Sequence, residues 1–296
     1  MPSVNPDILA WARETAGLTH GEAVSKLGIK DARGVAAVDR LVELETGITA
    51  PTRPLLVKMA KQYHRPLLTF YMSKPPIRGD RGQDFRTLPE GHSTVTEALL
   101  DTLLRDVRAR QSMVRAVLED EEEIERLDFI NSMKMSEGVS AVVASIQRAL
   151  RMNRDNYRAA KSPEQAFNLL RNSAESLGIF VLLKSNIGNY LTAMEVDTFR
   201  GFALADEIAP FIVINDQDAK PAWSFTLLHE LTHLWLGESG VSGVRDDNRI
   251  ERFCNDVASE FLLPANELAL LHVEDSTDFA IALRRISEFA KERHLS

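Results

Sequence analysis

The chain has 296 residues, of which 44% are hydrophobic and 26% charged, and its formal net charge is -8. This length and composition are typical of a globular protein with two or three domains, and the negative charge excludes wholesale coating of nucleic acid. No signal peptide is recognisable, and no apolar run approaches the roughly 20 residues needed to span a bilayer. Cys254 is the single cysteine, which excludes an internal disulfide. We therefore predict a cytoplasmic protein with no membrane partner.

Residues 1–74 predict a domain of short helices separated by turns, because apolar residues recur at helical spacing between turn signals. The expected helices are Pro6–Ala16, Thr19–Leu27, Val35–Glu45 and Pro54–Tyr63. Thr19 is a candidate helix cap, and Glu22 three residues later completes a capping box. This domain carries a net charge of +3, whereas the rest of the chain carries -11. Any contact with DNA should therefore come from this domain.

The segments GLTHGEAVSKLGI, ETG and APTRPLLVKMAKQYHRPL in this domain resemble the Cro/repressor type of helix-turn-helix. The resemblance implies DNA binding, with Arg33 and Arg40 directed toward the bases and Lys26 and Lys30 toward phosphates. Extra residues separate Ile29 from Glu45, where the recognition helix should lie. A protein-docking or dimerisation domain is the alternative, because a strong DNA reader usually has more basic and amide side chains on that helix.

Residues 75–160 predict a linker followed by a helical connector. The linker begins at Pro75-Pro76 and is rich in glycine, proline and charge. Amphipathic helices are expected over about Val95–Leu127 and Val139–Met152. The acidic run Glu119–Glu123 could bind a basic partner, but a solvated helix face is the favoured interpretation.

Residues 161–296 predict a third domain in which a small sheet precedes a central helix. Ser162 is a candidate cap for a helix with Pro163 in its first position and Gln165 as its capping-box residue, and Gly178 should end that helix. Three short runs rich in branched and aromatic residues then predict strands. These runs are Ile179–Lys184, Thr198–Ala205 and Phe211–Ile214. The fold class of the whole chain is therefore predicted to be α+β, mostly α.

The segment WSFTLLHELTHLWL contains the pattern H-E-x-x-H, formed by His229, Glu230 and His233. Residues four apart lie on one face of a helix, so both imidazoles can reach one metal ion while Glu230 lies beside it. A catalytic zinc site takes three protein ligands, and Glu251, eighteen residues after His233, is the preferred third ligand. This pattern predicts Zn²⁺ as the cofactor and Glu230 as the catalytic acid and base.

Other residues near this segment have alternative interpretations. Asn255 lies one helical turn after Glu251, where it could hydrogen-bond a ligating side chain. Glu260 competes for the third ligand position but falls on the opposite side of the same helix. Cys254 is chemically able to bind zinc, although a lone cysteine on an apolar helix face is more often a small buried hydrophobe. Two core histidines with no metal remain the structural alternative.

The segments GFALADEIAPFIVIND, FTLLHELTHLWLG and ERFCNDVASEFLLP, within about residues 160–272, resemble the ImmA/IrrE family of zinc metallopeptidases. Several members also carry a Cro/repressor-type domain followed by a DFR segment, here Asp84-Phe85-Arg86. The resemblance implies a zincin-like domain with a small sheet packed on the H-E-x-x-H helix. It also implies that His229, His233 and Glu251 are the metal ligands and that Glu230 is the catalytic acid and base.

The family also implies a function and a partner. Members are cytoplasmic endopeptidases that cleave a helix-turn-helix repressor and relieve repression in mobile elements or stress responses, and other relatives are paired with toxin genes. Tyr190 and His272 are candidates for stabilising the oxyanion, although structural roles are favoured for both. Cys254 replaces the small residue that usually precedes the family's asparagine, which raises the question of redox sensitivity.

Two hypotheses of different classes follow. The first is a zinc endopeptidase whose N-terminal domain selects a protein target or a DNA locus. The second is a DNA-binding transcriptional regulator, or the antitoxin of a toxin-antitoxin pair, with structural zinc or a silent peptidase site. A Glu230→Gln variant separates them, because only the first hypothesis requires that carboxylate.

Overall fold

A computed structural model describes residues 4–32, 34–75, 94–120, 126–238, 240–242, 249–271 and 278–295. Contacts within the chain divide it into two compact units. Unit 1 contains the described residues up to 75 together with 94–104, and unit 2 contains those from 105 onward. In these ranges no helix combines the length and the apolar content that crossing a membrane requires. Most of the predicted linker and the DFR segment lie outside the described residues.

Unit 1 is helical, as its sequence predicts. Its helices are α1 (Pro6–Thr15), α2 (His20–Leu27), α3 (Ala37–Glu45) and α4 (Arg53–Gln62), followed by a short 3-10 helix (Leu67–Tyr71). The predicted capping box is present, because Thr19 accepts a hydrogen bond from the backbone of Glu22 and its own backbone donates to the Glu22 carboxylate. Helix α2 packs against α3 and α4.

A buried ion pair lies inside unit 1 beside its apolar core. Arg13 Nε and Nη2 donate to the two carboxylate oxygens of Glu45 at 2.8 and 3.0 Å, and Nη1 donates to the Leu18 carbonyl at 3.0 Å. The side chains of Arg13 and Glu45 are only 7% and 6% exposed. The core around this pair includes Ile8, Leu9, Ala12, Leu27, Leu41, Leu56, Met59, Tyr63 and Phe70.

Helices also make up most of unit 2. They are α5 (Thr94–Glu119, which begins in unit 1), α6 (Val139–Leu150), α7 (Arg154–Arg158), α8 (Pro163–Ser176), α9 (Lys220–Leu236), α10 (Arg249–Leu262), α11 (Ala265–Leu268) and α12 (Phe279–Glu292). Helix α5 ends earlier than predicted, and the acidic run after it lies largely outside the described residues. Helix α7 was not predicted, because its five residues are too few to show the spacing of apolar residues that indicates a helix. Ser162 caps α8 as predicted, but Gln165 accepts from the backbone of Lys161 rather than from that of Ser162.

The described strands form one sheet in the order β1-β3-β2-β4. The strands are β1 (Phe180–Leu183), β2 (Gly201–Leu204), β3 (Phe211–Ile214) and β4 (Gly240–Ser242). Strand β1 pairs parallel with β3, whereas β2 pairs antiparallel with both β3 and β4. The first three strands confirm the predicted sheet, and β4 was not predicted.

Helix α9, which carries the H-E-x-x-H pattern, occupies the centre of unit 2. It packs on β2 and β3 and contacts α8 and α10, and 13 of its 17 residues are buried. A helix that is apolar on all sides is expected in such a position. Its last carbonyls are satisfied because the backbone N–H groups of Asn131 and Met133 donate to Leu234 and Trp235 at 3.0 and 3.1 Å. These contacts fix the helix that positions the candidate site.

Candidate metal centre

Three predicted ligands converge at one buried point between α9 and α10. The Glu251 carboxylate places one oxygen 3.0 Å from His229 Nε2 and the other 3.0 Å from His233 Nε2. The two Nε2 atoms lie 3.2 Å apart. The three side chains are at most 5% exposed. The two imidazole nitrogens and the two carboxylate oxygens therefore form a compact group of donor atoms that is shielded from solvent.

The spacing of these donor atoms is compatible with a small divalent cation. Zinc binds imidazole nitrogen and carboxylate oxygen at about 2.0–2.2 Å, so two such donors at a tetrahedral angle lie roughly 3.3 Å apart. The separations of 3.0 and 3.2 Å are close to that value. Two imidazoles and one carboxylate are also a donor set typical of catalytic zinc sites. The residues present thus fit a zinc ion.

Asn255 orients one of these histidines. Its Oδ1 lies 3.0 Å from His229 Nδ1, and the amide oxygen can only accept, so Nδ1 carries the proton. The tautomer with a proton on Nδ1 leaves the lone pair of Nε2 directed at the converging donors. The structure therefore brings together the three predicted ligands and Asn255.

The electrostatics of the cluster favour a positive charge between these groups. Burial alone would raise the pKa of Glu251, but the adjacent His229 and His233 side chains lower it to about 2. Burial also opposes the charged form of His233, yet interactions with Cys254, Glu251 and Glu230 raise its pKa well above 6.5. Since metal binding requires the neutral imidazole, a metal ion must compete with protons for this position.

Glu230 is completely buried beside the ligands, and its position depends on a glycine in the sheet. A Cβ atom on Gly201 of β2 would lie 2.9 Å from Glu230 Oε1, 2.6 Å from Thr226 Cγ2 and 3.0 Å from the carbonyl oxygen of Val213. Distances this short leave no room for a side chain. The absence of a side chain at Gly201 is thus what lets the Glu230 carboxylate lie against strand β2.

Cys254 lies closer to the histidines than the sequence suggests. Its Sγ and one ring nitrogen from each of His229 and His233 lie within 4.8 Å of one another, and all three residues are buried. Burial raises the pKa of the Cys254 thiol, and the neighbouring His233 opposes that rise. The contact geometry thus offers two candidates for the third ligand. The 3.0 Å distances from Glu251 to both rings favour the carboxylate.

The remaining candidates from the sequence lie elsewhere. Glu260 accepts a hydrogen bond from the backbone N–H of Ala265 at 3.3 Å, which holds the turn after α10. Tyr190 is 80% exposed, and His272 lies outside the described residues. Gly201 was not predicted, because its spatial proximity to Glu230 has no local sequence signal.

The four candidate DNA-binding residues of unit 1 differ in their surroundings. Lys26 and Lys30 are exposed, Arg40 donates to the backbone carbonyl of Lys30, and Arg33 lies outside the described residues. The exposed side of α3 carries Val38, Val42 and Asp39. DNA contact by this unit stays a prediction.

Part of the chain matches a known protein family. A family model described as Peptidase M78, IrrE N-terminal-like domain, matches residues 174–292. The matched region runs from the end of α8 into α12 and so contains the whole converging cluster. Searches of curated proteins and of solved structures gave no match. The similarity to this family supports a peptidase role for unit 2, and it leaves residues 1–173 outside the match.

Proposed function

We propose that this chain is a zinc-dependent endopeptidase in which His229, His233 and Glu251 hold the metal and Glu230 is the general base. The observation that carries the proposal is the position of the Glu251 carboxylate, 3.0 Å from both imidazoles of an H-E-x-x-H helix. The similarity of residues 174–292 to a peptidase family supports the peptidase part of this proposal. A purely structural pair of core histidines would not need a carboxylate shared between them.

When bound, zinc supplies an acidic water and polarises a carbonyl group. The chain's own contribution is proton transfer and orientation. The Glu230 carboxylate, which projects from α9 and lies against Gly201, takes the proton from the attacking water and returns it to the leaving amine. Asn255 keeps His229 in the tautomer that has a free lone pair at Nε2. Burial of Glu230 and of the three ligand side chains excludes bulk water and strengthens their electrostatic interactions.

The substrate in this proposal is an extended segment of a protein. Strand β4 is an outer strand of the described sheet and pairs with β2, the strand that carries Gly201 next to Glu230. An extended peptide can add to such an edge through main-chain hydrogen bonds. From the family resemblance, we propose a helix-turn-helix repressor as the physiological target, cleaved to relieve repression.

The test compares Glu230→Gln with Glu260→Gln, a matched change on α10 away from the cluster. Zinc content is measured by elemental analysis, and cleavage is measured with a peptide library whose new N-termini are identified by mass spectrometry. We expect Glu230→Gln to bind zinc normally and to lose at least about 100-fold in cleavage, in the range for removal of a general base. Glu260→Gln should retain both properties. Equal cleavage by the wild type and Glu230→Gln would refute the proposed mechanism.

A further inference from the structure

Cys254 is the one nucleophilic sulfur of the chain, and the proposed mechanism does not use it. Its Sγ belongs to a buried cluster with His229 and His233 whose donor atoms lie within 4.8 Å of one another. A zinc–sulfur bond is about 2.3 Å long, so a sulfur and an imidazole nitrogen on one tetrahedral zinc lie roughly 3.6 Å apart. The 4.8 Å limit on the separations in the cluster exceeds this value by only about 1.2 Å.

Helix geometry places this sulfur on the same face as the carboxylate ligand. Glu251 and Cys254 are three residues apart on α10, and residues at that spacing are neighbours on a helix surface. Both are buried, with 2% and 0% exposure, whereas Arg252 between them is exposed. The hydrogen bond from His229 to Asn255 holds α10 in this register against α9. The face that presents the carboxylate to the histidines therefore presents the thiol as well.

We propose that Cys254 is a fourth protein ligand of the metal held by His229, His233 and Glu251, and that its sulfur closes the position a catalytic site leaves to water. The inference rests on the proposed metal site and adds a means of regulating it. Catalytic zinc sites have three protein ligands and one open position, whereas sites with four protein ligands are closed. Cleavage then requires the sulfur to leave the metal, so displacement of Cys254 controls the activity.

Cobalt substitution tests the ligand directly, because cobalt bound to a thiolate absorbs strongly in the near ultraviolet. Since the chain has one cysteine, such a band can arise only from Cys254. We expect it in the cobalt-loaded wild type and not in Cys254→Ala or in the nearly isosteric Cys254→Ser. The control is Val257→Ala, which removes fully buried methyl groups from the same helix but keeps the thiol. This control should retain the band.

Closure of the site has its own readout. Azide binds to cobalt through an open position, so it should change the visible spectrum of Cys254→Ala and leave that of the wild type unchanged. Chelator competition should show that Cys254→Ala binds zinc at least about 10-fold more weakly than the wild type does. Loss of a group that only hydrogen-bonds a ligand already costs about this much, and Cys254 is proposed to bind the metal directly. If the cobalt-loaded wild type shows no thiolate band, Cys254 is not a ligand. If azide changes the spectrum of the wild type as it changes that of Cys254→Ala, the fourth position is not closed.

The same variants separate this inference from the proposed function. Cleavage of the peptide library by Cys254→Ala should exceed that of the wild type by at least about 10-fold, since its metal position is open. If neither protein cleaves but the thiolate band and the azide difference are present, the proposed peptidase activity is refuted and Cys254 is retained as the fourth ligand. If both proteins cleave equally and no thiolate band appears, the peptidase activity is retained and the proposal that Cys254 is a ligand is refuted. A wild type that binds no cobalt overturns both.

Discussion

Replacing Gly201 by alanine should disable the candidate site without removing any ligand. The new Cβ would lie 2.6 Å from Thr226 Cγ2, 2.9 Å from Glu230 Oε1 and 3.0 Å from the carbonyl oxygen of Val213. The carbonyl is part of the sheet and cannot retreat, so the Glu230 carboxylate and Thr226 must move. A displacement of about 1 Å in a catalytic group costs on the order of 100-fold in rate. Overpacking of this kind costs about 1–3 kcal/mol of stability.

The assay for Gly201→Ala combines library cleavage, zinc content and thermal unfolding. We expect about 100-fold slower cleavage, near-normal zinc content, and a midpoint lower by about 2–10 °C for a unit of this size. Gly21→Ala is the matched control, because a Cβ there meets nothing within 4 Å. It should leave cleavage unchanged. Wild-type cleavage and an unchanged midpoint in Gly201→Ala would refute the argument.

A second variant separates packing from the position of the carboxylate. Thr226→Ser removes the Cγ2 atom that makes the shortest contact with the added Cβ of Gly201→Ala. The double variant should regain part of the lost stability, because one of the three close contacts is relieved. Cleavage should stay low, because the contact with Glu230 remains. Recovery of cleavage together with stability would mean that the glycine serves packing alone.

Two further predictions concern stability. Glu45→Ala leaves the Arg13 charge buried without its carboxylate, which should lower the free energy of unfolding by about 3–5 kcal/mol. Amide hydrogen exchange should then accelerate in unit 1 and stay unchanged in α9. Unchanged exchange in unit 1 would contradict this prediction. Burial raises the pKa of Asp206, but the N–H groups of Ala209 and Ile208 and the Arg115 guanidinium outweigh it, and the pKa is lowered. Stability from a lowered pKa is present above the unfolded value near about 3.9 and is lost as the pH falls through the folded value. Urea titrations should therefore show Asp206→Asn less stable by on the order of 1 kcal/mol at pH 7, with the difference shrinking below about pH 4; a pH-independent difference would refute this.

Local signals in the sequence predict the helices and the approximate position of the ligands. A capping box at Thr19 and a serine cap at Ser162 mark helix starts because each is formed by residues within four positions of one another. The H-E-x-x-H pattern fixes two imidazoles on one face for the same reason. The prediction of Glu251 as the third ligand rested on the position of Asn255 one turn later and on the family resemblance. The structure places all three donors together.

Long-range contacts have no comparable signal, and the sheet illustrates this. Strand β3 pairs with both β1 and β2, so the order of strands differs from their order in the chain. Strand β4 has only three residues, which is too few for an alternating pattern to stand out. The ion pair of Arg13 and Glu45 joins residues 32 positions apart, and each side chain alone is indistinguishable from a solvated one. Such features depend on how the elements pack.

The position of Cys254 depends both on local sequence periodicity and on long-range packing. Burial on an apolar helix face is what the sequence predicts for a lone cysteine, and Cys254 is indeed fully buried. The same helical periodicity that directs Glu251 toward the histidines must also direct a residue three positions later to that side. Core packing and metal ligation therefore make the same demand on this position, and burial alone cannot separate them. The separating observation is the proximity of Sγ to both imidazoles, which depends on how α10 crosses α9.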